Sequence, residues 1–402
     1  MRLRSIAWAA LAGLVVAALL QSGALVFATL AAALFATLVV VSRRRVFRGF
    51  TFARTPERRV IGWGGRLEVT MSLTNAKLLP LVWLRVRDQW PLGLEPLGFA
   101  LERSGWRDSQ RLSQTLSLRW YERVRRRYQV RCLQRGLHWF GPAELEAGDP
   151  FGIAGVTREI SAREEIVVLP KVLDVPDLEL LTGRPLVEAP AARSLAHDPT
   201  ELRGTRPYQP GDGLRSVNWR ATARTGGLHT NEFEPTALAA TRLLLDVGVF
   251  EYVWQGVDPE RVELLCVVAA SLASAIAARG HAVGLTTNAL VGGDWRPVDI
   301  EPREGALDDL LETLARVVVM PPDDFSRLLA AELADETASG DVIVVTAALR
   351  PAARALVARL RAERPTTVVF VGRPSADERL EVDAVVPADF DWRTRDALEL
   401  LA

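Results

Sequence analysis

Between Ile6 and Val41 the chain carries almost no polar side chain, and that run decides the surroundings of its N-terminal part before any other feature is read. The run breaks once, at Gln21-Ser22-Gly23, with fifteen residues before the break and eighteen after it. A membrane-spanning helix needs about 20 residues, with about 17 as the short limit, which the first segment reaches only if Leu3 to Ser5 join it. Arg2 and Arg4 precede the run; Arg43, Arg44, Arg45 and Arg48 follow it. Positive flanks stay in the cytoplasm, so the pattern predicts a tight hairpin of two transmembrane helices over residues 1–42, with the rest of the chain cytoplasmic. A cleaved signal peptide over Met1 to Leu20 is the competing reading. Against it, a second apolar stretch follows at once where polar sequence is expected.

Charge is zero overall, 49 cations against 49 anions, so no global polyelectrolyte partner is implied. Its placement is uneven. Residues 42–140 hold 21 Arg or Lys against seven Asp or Glu, a net +14; with +2 from Arg2 and Arg4, residues 141–402 carry −16. Lysine occurs only at Lys77 and Lys171, so arginine is the default cation here and does not by itself signal phosphate binding.

Residues 43–170 read as a basic, β-sandwich-like domain. In "RLEVTMSLTN", Leu67, Val69, Met71 and Leu73 alternate with polar neighbours and the stretch stops on the turn former Asn75; "LVWLRVRD" and "RLSQTLSLRW" repeat the period of two. Over Arg123 to Arg131, Arg125, Arg127 and Arg131 share one strand face, with Val124, Tyr128 and Val130 on the other. The block starts within ten residues of the apolar run, so a lipid surface is its nearest polyanion, in preference to nucleic acid. An ordinary solvated face is the alternative. Cys132 and Cys266 fall in different domains and read as buried thiols, with no disulfide framework or metal knuckle.

From residue 236 to 402 strands and helices alternate, which predicts a doubly wound, mostly parallel α/β sheet. "ATRLLLDVG", "HAVGLTTN", "GDVIVVTA" and "TTVVFVG" are the strands; helices are expected over "RVELLCVVAASLASAIAARG", Ala306–Val317, Phe325–Ala334 and "RPAARALVARLRAER", with "RTRDALELLA" as a closing helix. Ligands of such sheets sit at the carboxyl ends of the strands, here Asp246, the Thr286–Asn288 turn and Thr346.

The connecting segment 171–235 contains "YQPGDGLRSVNWRATARTGGLHTNEFE". Pro210-Gly211-Asp212-Gly213 has the chemistry of a tight turn, and "RSVNWRATAR" suits a strand or a short helix with Val217 and Trp219 as anchors on a sheet. Tyr208, Gly211, Asp212, Arg215, Asn218, Trp219 and Arg224 are its candidate binding or docking residues, read as a clasp between the β and α/β domains. Together with "RCLQRG", "GDPFGI" and "VVLPKV", this motif resembles the bacterial domain of unknown function 58 family. The resemblance implies a bacterial inner-membrane protein with a degenerate von Willebrand factor type A-like domain. It also implies partners of two kinds, a MoxR-type AAA+ ATPase and a transglutaminase-like membrane protein. The type A metal site uses Asp-x-Ser-x-Ser, a Thr and a further Asp; here Asp246 and Thr286 or Thr287 match, but Gly248 and Phe250 stand in the serine places and Thr346 has no following Asp. One carboxylate is too few for a hard cation, so Asp246, Thr286 and Thr346 are read as a degenerate site holding no metal.

Histidines 138, 197, 229 and 281 have no ligand spacing, and neither a nucleophile elbow nor a phosphate loop occurs, so no catalytic residue and no cofactor is assigned. The expectation is a non-enzymatic, membrane-tethered scaffold or adaptor. Its alternatives are a cation-dependent type A ligand-binding module and, with less support, a hydrolase or nuclease using the arginines near 203–224.

Overall fold

The computed structural model describes residues 3–103, 105, 109–149, 155–176, 178, 202–207, 218–233, 240–250, 255–292, 298–320, 324–335 and 340–401. The chain divides into two compact units, Met1–Lys171 and Val172–Ala402.

The first unit opens with two apolar helices, α1 (Leu3–Leu19) and α2 (Gly23–Arg45). Ser22 starts α2: it is extended, and its side chain accepts from the Leu25 amide, satisfying one of the amides a helix start leaves unpaired. By length and composition α2 suffices to cross a membrane, and it ends on Arg43, Arg44 and Arg45.

The β body follows. β1 (Phe50–Pro56), β2 (Val60–Ile61), β3 (Arg66–Asn75), β4 (Leu81–Pro91), β5 (Leu94–Leu97), β6 (Glu102–Arg103), β7 (Ser109–Leu118) and β8 (Arg123–Cys132) precede β9 (Gly136–Phe140), β10 (Ala143–Gly148), β11 (Gly155–Ile160) and β12 (Glu164–Val168). They form sheets of order β1-β3-β8-β5, β11-β10-β4-β7-β6 and β2-β12-β9. Alternation in β3 turns Leu67, Val69, Met71 and Leu73 inward, where they share one core with Leu84, Val86 and Trp90 of β4 and Leu145 of β10. Each such side chain contributes about 2 kcal/mol by leaving water. Trp90 lies edge-on to Phe140, with ring centroids 4.9 Å apart. Inside this core sits an ion pair, Arg54 of β1 with Asp88 of β4, both essentially without solvent contact. Arg54 also donates to the carbonyl of Phe140 (2.7 Å), and Trp90 Nε1 donates to Asp88 (2.8 Å). Burial pushes the Asp88 carboxyl up, and the Arg54 charge pulls it back.

Among its described residues the second unit holds two sheets. β13 (Leu202–Pro207) and β14 (His229–Phe233) form an antiparallel pair, with the short helix α3 (Trp219–Thr225) between them in the chain. The main sheet is built from β15 (Ala240–Leu245), β16 (Ala282–Thr287), β17 (Val298–Arg303), β18 (Asp341–Thr346), β19 (Thr366–Val371) and β20 (Ala384–Val386). Its order is β17-β16-β15-β18-β19-β20, parallel except for β17. Its helices are α4 (Pro259–Ala278), α5 (Leu307–Arg316), α6 (Phe325–Ala334) and α7 (Pro351–Glu363). Asp258 caps α4 and Pro259 fits its first turn, where no amide is needed. Although α4 is also long and apolar enough to span a membrane, two-thirds of it is buried within the unit, so it serves as a core helix. α6 and α7 bring Phe325, Leu329, Val357 and Leu360 onto Leu244, Val344 and Val368 of the sheet.

The expected closing helix does not form. Asp391 holds Thr394 in a turn, Leu398 donates its amide to the Asp174 carbonyl (2.8 Å), and Leu401 exchanges two backbone hydrogen bonds with Val385 of β20. A segment this short cannot pay for helix nucleation alone, and the open edge of β20 offers it backbone partners.

Candidate functional site at the strand ends

Strand order reverses at β15, because β16 lies on one side of it and β18 on the other. That is where open α/β sheets leave a crevice beyond the carboxyl ends of their strands. Asp246 stands at this point, buried, its amide bonded to the Val345 carbonyl (2.9 Å). Its Oδ1 accepts from the Gly248 amide (2.8 Å) and from Asn288 Nδ2 (2.7 Å); its Oδ2 accepts from Thr346 Oγ1 (3.0 Å). Asn288 Oδ1 in turn accepts from the Val247 amide (3.0 Å). Burial lifts the Asp246 carboxyl above its ordinary range, while the Gly248 amide, Asn288, the Arg350 charge and Thr346 pull it back.

Two of the three degenerate metal-site positions therefore meet, Asp246 and Thr346. Thr286 does not join them. Its hydroxyl donates to Asp299 Oδ1 (2.8 Å) on β17, an edge strand that pairs Asp299 directly with Thr286 and that periodicity alone left unseen. Asn288 occupies the place expected of a threonine ligand, as a donor rather than an acceptor. Gly248 is required where a serine would stand: a Cβ there would lie 2.9 Å from Asp246 Oδ1. Two nitrogen donors on Oδ1 do not fit a hard cation, which needs free oxygen ligands. Among the described residues no group of three or more His, Cys, Asp or Glu converges.

Beside Asp246 opens a cleft of about 370 Å³, lined by Phe250, Leu349, Arg350, Arg354, Arg373 and Glu378 among others. Glu378 is committed to the local backbone, accepting from the amides of Leu349 and Ser375 (2.8 Å each). The start of α7 faces the same space, and a helix N-terminus favours anions. Three arginines face two carboxylates across this lining: Arg354 pairs with the exposed Asp377 (3.8 Å), and Arg350 donates to the Phe250 carbonyl (3.2 Å). A second cleft, of about 310 Å³, is lined by Arg242, Asp299 and Glu332 among others. Arg242 pairs there with Asp299 (2.8 Å) and Glu332 (3.5 Å), which also holds Arg364 (2.7 Å), so these charges neutralise one another.

Part of the motif at 207–234 is described, and of the two local forms expected for it, strand or short helix, the helix is the one seen. Tyr208, Gly211, Asp212, Arg215 and Val217 lie outside the described residues. Asn218 caps α3, its Oδ1 accepting from the Ala221 amide (2.9 Å); Gly226 ends the helix in the left-handed region at φ 71°. Thr222 Oγ1 accepts from the His229 amide (3.1 Å), turning the chain into β14. The segment is thus a helix, and Trp219, 67% exposed, is no sheet anchor: the first helical turn points it outward, and Ala221 is the buried residue. Arg224 is exposed. On β8, Arg127 pairs with Glu68 (3.5 Å) and Arg131 with Glu95 (3.7 Å), so part of the basic face is met within its own sheet. Cys132 and Cys266 are buried, and neither is in a disulfide.

Residues 204–380 match the family described as "Protein of unknown function DUF58". The DUF58 region runs from within β13 to the 3₁₀ turn Arg379–Glu381, and so contains Asp246, Asn288, Thr346 and the arginine cleft. Over 311 residues, 75% of this chain and 71% of the relative, the sequence is 25% identical to "Uncharacterized protein YeaD" of Bacillus subtilis strain 168. Similarity to solved structures is slight. The CARDB domain of a Pyrococcus furiosus protein gives a TM-score of 0.20 at 13% identity, covering 30% of this chain and 91% of that one. Spo0M, a sporulation control protein of Bacillus subtilis, gives 0.19 at 10%, covering 30% and 49%. Scores this low carry no argument about the DUF58 region.

Proposed function

We propose that this chain is a membrane-tethered, cytoplasmic protein-binding adaptor. Its DUF58 region, a degenerate von Willebrand factor A-like domain, receives an acidic group of the partner through Arg350, Arg354 and Arg373 with no metal ion. The observation that carries this reading is Asp246, whose two oxygens are taken by Gly248, Asn288 and Thr346. A charge that a metal would need is thereby spent inside the fold, and the cationic groups lining the cleft beside it are arginines, which bind carboxylates in forked geometry. The tether is α1 and α2 as a hairpin. Gly13 supports it, since a Cβ there would lie 2.2 Å from Thr29 Cγ2, the close approach that small residues allow between membrane helices. Arg43, Arg44, Arg45 and Arg48 hold the α2 end in the cytoplasm. The partner proposed is a MoxR-type AAA+ ATPase, alongside a transglutaminase-like membrane protein.

Affinity capture of the full chain from detergent-solubilised membranes tests this. The ATPase is expected with or without EDTA, and its recovery is expected to drop when Arg350→Ala and Arg373→Ala are combined. Capture abolished by EDTA would favour a cation-dependent module instead; a chain that emerges alone removes the adaptor reading.

A further inference from the structure

We infer that the loop apex carrying Leu78, Trp120 and Tyr121 is seated in the headgroup–acyl interface of the bilayer that α2 crosses, and so sets the β body against the membrane. The inference rests on the membrane-tether reading of α2. The three side chains are 74%, 63% and 66% exposed, and among the described residues of their own unit nothing covers them. Tips of loops in water take Gly, Asn, Asp or Ser; a Leu, a Trp and a Tyr together at one apex need another environment. Tyr121 even holds a left-handed backbone at φ 53°, uncommon for an aromatic residue.

Hydrogen bonds tie the apex to the end of α2. Asn75 Nδ2 donates to the carbonyls of Leu79 (3.0 Å) and Arg119 (2.8 Å), and its amide donates to Glu122 (2.8 Å). This stitches the β3–β4 loop to the β7–β8 turn. The Tyr121 amide then donates to the Lys77 carbonyl (3.2 Å). From the same loop, the Ala76 amide donates to Gly49 (2.7 Å), and Lys77 Nζ donates to the carbonyl of Val46, the C-cap of α2. The apex therefore sits beside the turn at which α2 leaves its apolar stretch.

That depth is where bilayers favour Trp and Tyr, whose rings are apolar and whose N–H and O–H groups stay wet. Charge agrees. Arg43, Arg44 and Arg45 end the helix and Arg48 follows it; Arg119 precedes the aromatic pair and Arg123 follows it, with Glu122 between, its carboxylate accepting from the Arg119 amide (2.5 Å), so the cations outnumber the single anion, as an anionic headgroup layer requires. A soluble protein partner would also fit exposed aromatics, but it would not explain why their loops are tied, through Ala76 and Lys77, to the end of an apolar helix.

The full chain is placed in nanodiscs of phosphatidylcholine and phosphatidylglycerol, with one environment-sensitive fluorophore on an introduced cysteine at Leu78→Cys, Trp120→Cys, Phe27→Cys or Leu380→Cys. Cys132 and Cys266 are buried and stay unlabelled. Spin-labelled lipids carry the quencher near the headgroup or deep in the chain. Shallow-quencher loss of signal is expected to be several-fold greater at Leu78→Cys and Trp120→Cys than at Leu380→Cys, with Phe27→Cys quenched by the deep label. If Phe27→Cys is quenched deep while the two apex sites match Leu380→Cys, the seat is overturned and the tether stands; this is the result a soluble partner at the apex predicts. If Phe27→Cys is not quenched, the tether reading fails and the seat with it.

Discussion

Asn288→Ala is the most informative single change in the DUF58 region. It removes two hydrogen bonds at once, Asn288 Nδ2 to the buried Asp246 carboxylate and the Val247 amide to Asn288 Oδ1. A bond to a charged group contributes about 2 kcal/mol and a neutral one about 1 kcal/mol, so the expected loss is about 3 kcal/mol. For a unit of this size that lowers the melting temperature by about 9 °C. The pH dependence has a definite sign. Burial holds the folded-state pKa of Asp246 above its ordinary 3.8, so the folded protein keeps that proton to higher pH than the unfolded chain. Stability from this group is then full below 3.8 and is lost as pH rises through the folded value. Removing a donor to the charged form lifts the folded value further. The deficit of Asn288→Ala against wild type should therefore be smallest in acid, where mainly the neutral Val247 bond is lost, and grow towards neutral pH. Asp246→Asn, which keeps the shape and can still pair with Thr346, should abolish that growth. Thermal unfolding in mild detergent across this range measures both. A deficit independent of pH, or one that persists unchanged on the Asp246→Asn background, would refute the network as drawn.

Arg54→Met should cost about 4 kcal/mol by leaving Asp88 buried without its counter-charge, whereas Arg54→Met with Asp88→Leu should cost far less; urea unfolding of the two variants separates a charge effect from a packing effect. Trp219→Ala should change stability by no more than about 0.5 kcal/mol, because the ring is exposed, and a melting-temperature drop of many degrees would restore its role as an anchor. Burial pushes the Cys132 thiol up to about 12, so it should not react with Ellman's reagent at neutral pH until denaturant is added; prompt labelling of the folded chain would contradict the buried placement.

Much of the secondary structure was legible because side-chain periodicity is a local property. β3 reads directly from Leu67, Val69, Met71 and Leu73, and the strands of the α/β unit read from their short apolar runs. β17 and β20 were not legible: "VDIEPR" alternates weakly, and β20 is three residues long. Both are strands because a neighbouring strand supplies backbone partners. The ending near Leu398 and Leu401 looked helical for the complementary reason, since local propensity favours a helix and only the β20 edge outbids it. At the candidate site, Asp246 and Thr346 could be named from strand ends, but Thr286 was lost to Asp299, a residue of the unseen strand.

The sequence by itself determined the apolar α2 with its cationic end, the alternating β body and the strand–helix rhythm of the DUF58 region, because each follows from the order of apolar and polar residues along a few turns or strands. Tertiary structure alone decided which charges meet. Arg54 and Asp88 are 34 positions apart, and Thr346 and Asp246 are 100 apart. No local pattern joins such residues; only the meeting of two sheets, or of two strand ends, lowers their surroundings' polarity enough to make the pairing matter.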